Sequence, residues 1–249
     1  MKKEICALAL SALLVFAAPP PAPARAADGP ATDPLAAVLK REGYTVSLDL
    51  RVRKKKRDSL QHFLELLDGE APPNAYATGF VVGEGLVMTA YHAVSGSLDA
   101  AHRRQLGFSP DEGLEVDAYV NGCEATVLKF DREADLALLG VCRTKRLAAT
   151  PDFETAPVAE DELLVIARPN GIKAVRRGVF SGTYTYRGRQ YWAARMEGRD
   201  GFSGSPVYNG RGQIVGVFTG YDSAQKVALI SPGASVQKLL TEYASAPKP

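Results

Sequence analysis

The segment Arg199-Asp-Gly-Phe-Ser-Gly-Ser-Pro-Val207 places Ser203 on a turn flanked by Gly201 and Gly204. In this Gly-x-Ser-Gly-x-Pro frame the hydroxyl projects, and neighbouring backbone N–H groups can converge on one point. A second segment, Gly79-Phe-Val-Val-Gly-Glu-Gly-Leu-Val-Met-Thr-Ala-Tyr-His-Ala-Val94, leads through a strand, a Gly turn and another strand directly into His92. A third, Val127-Leu-Lys-Phe-Asp-Arg-Glu-Ala-Asp-Leu-Ala-Leu-Leu139, puts Asp135 at the mouth of an apolar strand. Burying a carboxylate there is costly unless a partner compensates, and an imidazole N–H would serve. Each residue alone has a plainer reading: a packed core histidine, a turn-closing aspartate, a Gly/Ser loop. The other histidines, His62 and His102, fall in a leading helical stretch and in a charged segment. Serine, histidine and a carboxylate together are the residue types of nucleophilic catalysis.

The elements that must position them read as all-β. From Tyr76 onward short apolar strands recur, and Asn-Gly pairs at Asn121, Asn170 and Asn209 mark tight turns. Leu114, Val116, Ala118 and Val120 alternate cleanly, and Val207 to Val217 reads as a hairpin with an apolar second arm. The helix predicted in this region is the last one, capped near Ser231 to Ser235, with Val236, Leu239, Leu240 and Tyr243 on its apolar face. Upstream, Leu35 to Arg41 suits a short helix, and Tyr44 to Val52 alternates as a half-buried strand. The basic run Arg53-Lys-Lys-Lys-Arg57 reads as an exposed loop, the alternative being a site for an anionic partner. Asp58 or Ser59 can cap an amphipathic helix bearing Leu60, Phe63, Leu64 and Leu67.

Thr-Ala-Tyr-His92, Ala-Asp135-Leu-Ala-Leu-Leu and Gly-Phe-Ser203-Gly-Ser-Pro resemble the three signature segments of trypsin-like serine proteases, in that family's order. The subgroup resembled most is the bacterial HtrA-type and glutamyl-endopeptidase-like branch, over about Tyr44 to Tyr243. The resemblance implies two six-stranded antiparallel β-barrels of chymotrypsin type with a C-terminal helix. It implies a serine endopeptidase in which His92 is the general base and Asp135 holds its tautomer. Ser203 would be the nucleophile, with the N–H groups of Gly201 and Ser203 as oxyanion hole. Thr219, Gly220 and Tyr221 would form the pocket edge that pairs with an extended polypeptide substrate. Glu197 lies near the position of the acid that selects Arg or Lys, and Phe218 stands where glutamyl endopeptidases hold a histidine. Phe202 replaces the aspartate that zymogen-activated members pair with a newly cut N-terminus, so no such activation is expected. No PDZ-sized segment follows. The alternative, a trypsin-fold binding protein without activity, is disfavoured by the presence of all three triad residues. An α/β-hydrolase is excluded by chain order and by the β texture.

The ends predict export. Lys2 and Lys3, the apolar run Ile5 to Ala18, and Ala24-Arg25-Ala26 have the form of a signal peptide cleaved after Ala26, for a periplasmic or secreted destination. The apolar run is too short to cross about 30 Å of hydrocarbon, and Cys6 lies in front of it rather than after it, so neither a membrane nor a lipid anchor is expected. Residues 27–43 read as a leader and 44–249 as the protease domain, with an insertion carrying a short helix at about 54–70. Removing Lys2, Lys3, Arg25 and Glu4 from the 30 basic and 28 acidic residues leaves equal numbers, so no general attraction to nucleic acid is implied. Cys123 and Cys142 remain in an oxidising compartment and invite a disulfide. If Phe130 faces Asp135 across a short turn, seven steps back along each arm bring the two cysteines opposite one another. His and Cys are too few and too badly spaced for a metal site, and no cofactor is expected.

Overall fold

The first six strands are β1 (Thr45–Lys54), β2 (Asn74–Gly83), β3 (Leu86–Ala90), β4 (Leu114–Val120), β5 (Cys123–Asp131) and β6 (Leu136–Val141). They close into an antiparallel barrel in the order β1-β2-β3-β6-β5-β4. A second closed barrel, in the order β10-β11-β12-β9-β8-β7, is made of β7 (Glu162–Ala167), β8 (Ala174–Tyr186), β9 (Arg189–Arg195), β10 (Pro206–Asn209), β11 (Ile214–Asp222) and β12 (Val227–Pro232). This is the chymotrypsin-like pair of six-stranded barrels. The computed structural model describes residues 33–55, 74–98, 100–142, 153 and 156–246, all within the unit Thr32–Pro249. The signal expected at 1–26, the expected leader up to Thr32, Lys56 and Arg57, and the helix expected at Leu60 to Leu67 lie outside the described residues.

β6 and β7 are apolar on both faces because each separates two cores. Ala137 and Leu139 fill the first barrel, while Leu136 and Leu138 face a cluster shared by both barrels and the helices. β7 likewise sends Leu163 and Val165 into the second barrel and Leu164 and Ile166 to the shared cluster. Successive side chains point to opposite faces, so an unbroken apolar run is what a strand buried on both sides needs.

Helix α1 (Pro34–Leu39) is capped by Asp33, whose Oδ1 accepts the Leu35 N–H at 3.0 Å. Its Val38 is fully buried in the shared cluster, so the folded unit reaches back before Tyr44. α2 (Tyr91–Val94) and α3 (Ala100–Gln105) were not expected. α3 buries no residue, so it has no apolar periodicity to betray it. α4 (Gly233–Ala244) buries Val236 and Leu239, with Leu240 and Tyr243 packed beside them. Its start differs from the expected serine cap. Pro232 occupies the N-cap without a side-chain bond, and the Ser231 hydroxyl instead donates to the Ala134 carbonyl, which belongs to the first barrel's side of the molecule.

Two sequence expectations are corrected in detail. Phe130 pairs with Ala137, not Asp135, and a bulge between Val127 and Lys129 shifts the β5–β6 register. Cys123 and Cys142 are therefore offset rather than opposed, yet their Cα atoms are 6.0 Å apart and the disulfide forms. The described part of the basic run is not a free loop. Arg53 lies in β1 opposite Glu115 and binds Asp117 at 2.8 and 3.0 Å and Glu115 at 3.3 Å. Lys54 binds Glu112 at 2.8 Å. The acidic flank of β4 neutralises these cations on the barrel itself.

Candidate active site

The turn after β5 sets the carboxylate. Asp131 Oδ1 accepts the N–H groups of Glu133 at 2.9 Å and Ala134 at 3.0 Å, and the chain then enters β6 through Asp135 with φ of 52°. Aspartate tolerates this left-handed backbone better than most residues. Its side chain is 10% exposed and meets His92 twice. Oδ1 accepts the His92 N–H at 2.8 Å, and Oδ2 lies 2.7 Å from Nδ1. The Tyr91 N–H donates to the Asp135 carbonyl at 3.0 Å. Backbone and ring of His92 are thus fixed by one residue, and Nε2 lies 2.9 Å from Ser203 Oγ. An unbroken carboxylate–imidazole–hydroxyl chain can draw the serine proton onto the ring as Oγ attacks.

Ser203 lies on a turn that only its glycines allow. Gly201 and Gly204 have φ of 82° and 88°. A Cβ on Gly204 would stand 2.0 Å from the Thr78 carbonyl oxygen, and one on Gly201 would stand 2.6 Å from Pro169 Cβ. The Phe202 N–H donates to Arg199 at 3.1 Å, the Gly204 N–H to Phe218 at 2.7 Å and the Ser205 N–H to Phe202 at 3.0 Å. Among the described residues, the N–H groups of Gly201 and Ser203 have no such protein acceptor. These are the two donors that the resemblance assigns to an oxyanion.

The other expected site residues are placed unequally. Thr219 is the extra residue of a bulge in β11 between Phe218 and Gly220, and its hydroxyl donates to the Leu229 carbonyl at 3.2 Å. Bulges interrupt strand pairing and recur beside active sites. Tyr221 and Phe218 both press on Gly198, where a Cβ would lie 2.7 Å from Phe218 Cζ and 2.8 Å from Tyr221 Cβ. Glu197 is exposed beside them. Tyr191, buried in β9, has its hydroxyl pushed above the ordinary value by burial, with Arg189 opposing and the Asp135 charge reinforcing the shift.

Paired six-stranded barrels with this relay are the fold and site arrangement of the trypsin-like class. Residues 77–217 match the trypsin-like peptidase domain, and the chain belongs to that family. It is similar to serine protease HTRA3 of Mus musculus, 28% identical over 71% of this chain and 39% of that protein. It is also similar to glutamyl endopeptidase of Staphylococcus epidermidis, 26% identical over 57% of this chain and 53% of that one. The chain thus spans about two fifths to one half of these relatives. Among solved structures, the active form of the Rv3671c protease from M. tuberculosis has the same fold, with a TM-score of 0.58 and 21% identity over 96% of each chain.

Thr78 is the site residue that sequence reasoning passes over. It is fully buried in β2. Its hydroxyl donates to the Gly201 carbonyl at 2.7 Å and accepts the Arg168 N–H at 2.9 Å. Its backbone N–H donates to the Ser203 carbonyl at 2.9 Å, and its carbonyl accepts the Thr89 hydroxyl at 2.7 Å. The one signal was a threonine within the apolar run from Ala77 to Val82.

Proposed function

We propose that the protein is an exported serine endopeptidase acting on extended polypeptides. The observation that carries this reading is the relay from Asp135 through His92 to Ser203, with two N–H groups of the same loop that have no acceptor among the described residues. Ser203 attacks the scissile carbonyl while His92 takes its proton, and the oxygen that becomes negative is held by the N–H groups of Gly201 and Ser203. The carbonyl–nitrogen bond then breaks as His92 returns the proton to the leaving amine. Water repeats the cycle on the acyl-enzyme. Asp135 keeps the ring in the useful tautomer and stabilises the imidazolium.

Substrate backbone lies along Thr219 to Tyr221. The amino-terminal export signal and the Cys123–Cys142 bridge support an oxidising destination, and the catalytic unit runs from α1 through α4. A fluorophosphonate is expected to label the native protein at Ser203 and not its S203A variant. A peptide library then reads the pocket. A native protein that takes up no label would refute the reading in favour of a binding protein.

A further inference from the structure

The Gly201–Ser203 turn is gripped from both barrels. On the side of the first barrel, the Thr78 hydroxyl and N–H hold the carbonyls of Gly201 and Ser203. On the side of the second, Phe202 is 1% exposed in a socket. Its ring meets Phe218 edge-on, with centroids 5.9 Å apart at 71°, and the Arg176 guanidinium lies 5.7 Å over it. Arg176 is itself steadied by a 2.8 Å bond to the Val175 carbonyl. The Gly204 N–H is tied to the Phe218 carbonyl, so Phe218 holds the turn through both ring and backbone.

These anchors act on consecutive atoms of one loop. With the Gly201 carbonyl fixed to Thr78, rotating the 201–202 peptide would break a part-buried hydrogen bond and drag Phe202 from its socket. A carbonyl left unpaired with little access to water is costly, so these bonds favour one conformation of the turn. In that conformation the N–H groups of Gly201 and Ser203 are left for a substrate. We propose that Thr78, with the Phe202–Phe218–Arg176 stack, is a positioning device for the oxyanion site. It preorganises the turn across the barrel boundary without the ion pair to a new N-terminus that an aspartate at position 202 would need. The Thr78 hydroxyl is its central part, because that single group bonds both the nucleophile loop and Arg168 at the end of β7. The proposal rests on the peptidase reading above.

Isosteric and conservative variants test it. T78V removes the hydroxyl and keeps the shape, whereas T78S keeps the hydroxyl. On a peptide cleaved by the wild type, T78V is expected to lower kcat about 10- to 100-fold, at or below the loss caused by removing one oxyanion donor. KM should stay within about twofold and the pH midpoint of kcat/KM unchanged, since His92 and Asp135 are untouched. T78S should recover most of the loss. R176Q removes the cation over the ring and is expected to lower kcat about three- to tenfold, again with KM preserved. A folded T78V with wild-type kcat, or T78V and T78S equally impaired, would overturn the proposal. Should T78V fail to fold, a wild-type kcat for R176Q overturns it instead. Wild-type labelling at Ser203 separates this outcome from failure of the peptidase reading itself.

Discussion

At the scale of the residue, the site depends on atoms that carry no reactive group. Gly204 is the clearest case: its left-handed backbone and the Thr78 carbonyl 2.0 Å from where a Cβ would stand leave room for hydrogen alone. G204A must push the nucleophile loop away from β2 and lose the Thr78–Ser203 bond. It is expected to abolish fluorophosphonate labelling and to lower the urea midpoint, whereas a surface Gly→Ala substitution does neither. Asp135 makes a different prediction. D135N keeps the Oδ1 contact to the His92 N–H but offers Nδ1 an amide donor, which favours the wrong tautomer. A fall in kcat of about 10⁴-fold with little change in KM is expected, measured by initial rates. Retained activity in D135N would show that the relay is not used.

At the scale of the element, hairpins are tied to one another by a few bonds whose strength depends on pH or oxidation. The Tyr184 hydroxyl in β8 donates to Asp222 Oδ2 at 2.6 Å at the end of β11. This bond, with help from the N–H groups of Ala224 and Gln225, holds the Asp222 carboxyl below its ordinary range, and it raises the tyrosine. A carboxylate depressed in the folded state contributes stability above its unfolded value, and that contribution is lost as pH falls through the folded value. The difference in urea midpoint between wild type and Y184F should therefore be present at pH 7 and shrink at pH 3. A difference that is constant with pH would assign it to packing. Cys123 and Cys142 close a loop with a sequence separation of 19 residues. Losing a bridge of this span costs about 2 to 4 kcal/mol, so the double Ser variant, or wild type in a reductant, should show an equal and lower urea midpoint.

These elements were legible in the sequence to different degrees, for physical reasons. That Asp135, His92 and Ser203 belong together was legible because each sits in a segment whose local pattern is unusual: a carboxylate heading an apolar strand, a histidine ending one, a serine between glycines. The disulfide was legible as a pair, but the register was not. A bulge at Leu128 leaves no mark on a sequence that alternates on either side of it. α3 was invisible because an exposed helix has no apolar stripe. Ser231 looked like a helix cap because serines cap helices, yet its hydroxyl found a carbonyl across the molecule. Thr78 was missed for the same reason, since its partners are far away in the chain and no local pattern points to them.

At the scale of the whole molecule, the relay depends on how two barrels are held together, because His92 and Asp135 belong to one and Ser203 to the other. The shared cluster does this with side chains from β2, β3, β6, β7, β10 and β11, and it is closed at one end by α1 and α4. Val38, near the end of α1, is fully buried there, and Leu35 packs against the same cluster. The segment that sequence alone assigned to a leader is thus part of the clamp between barrels. Removing residues 1–26, the expected signal, leaves α1 whole. Removing 1–43 strips Val38 and Leu35 from the shared cluster and exposes it. A buried aliphatic side chain contributes about 1.5 to 3 kcal/mol, a large part of the roughly 5 to 15 kcal/mol that stabilises a domain. The shorter truncation should keep the wild-type melting temperature and Ser203 labelling. The longer one should lower both, with labelling lost at temperatures where much strand signal persists in circular dichroism, because the barrels part before they unfold. Equal behaviour of the two truncations would mean that α1 is a tether and that the barrels are held without it.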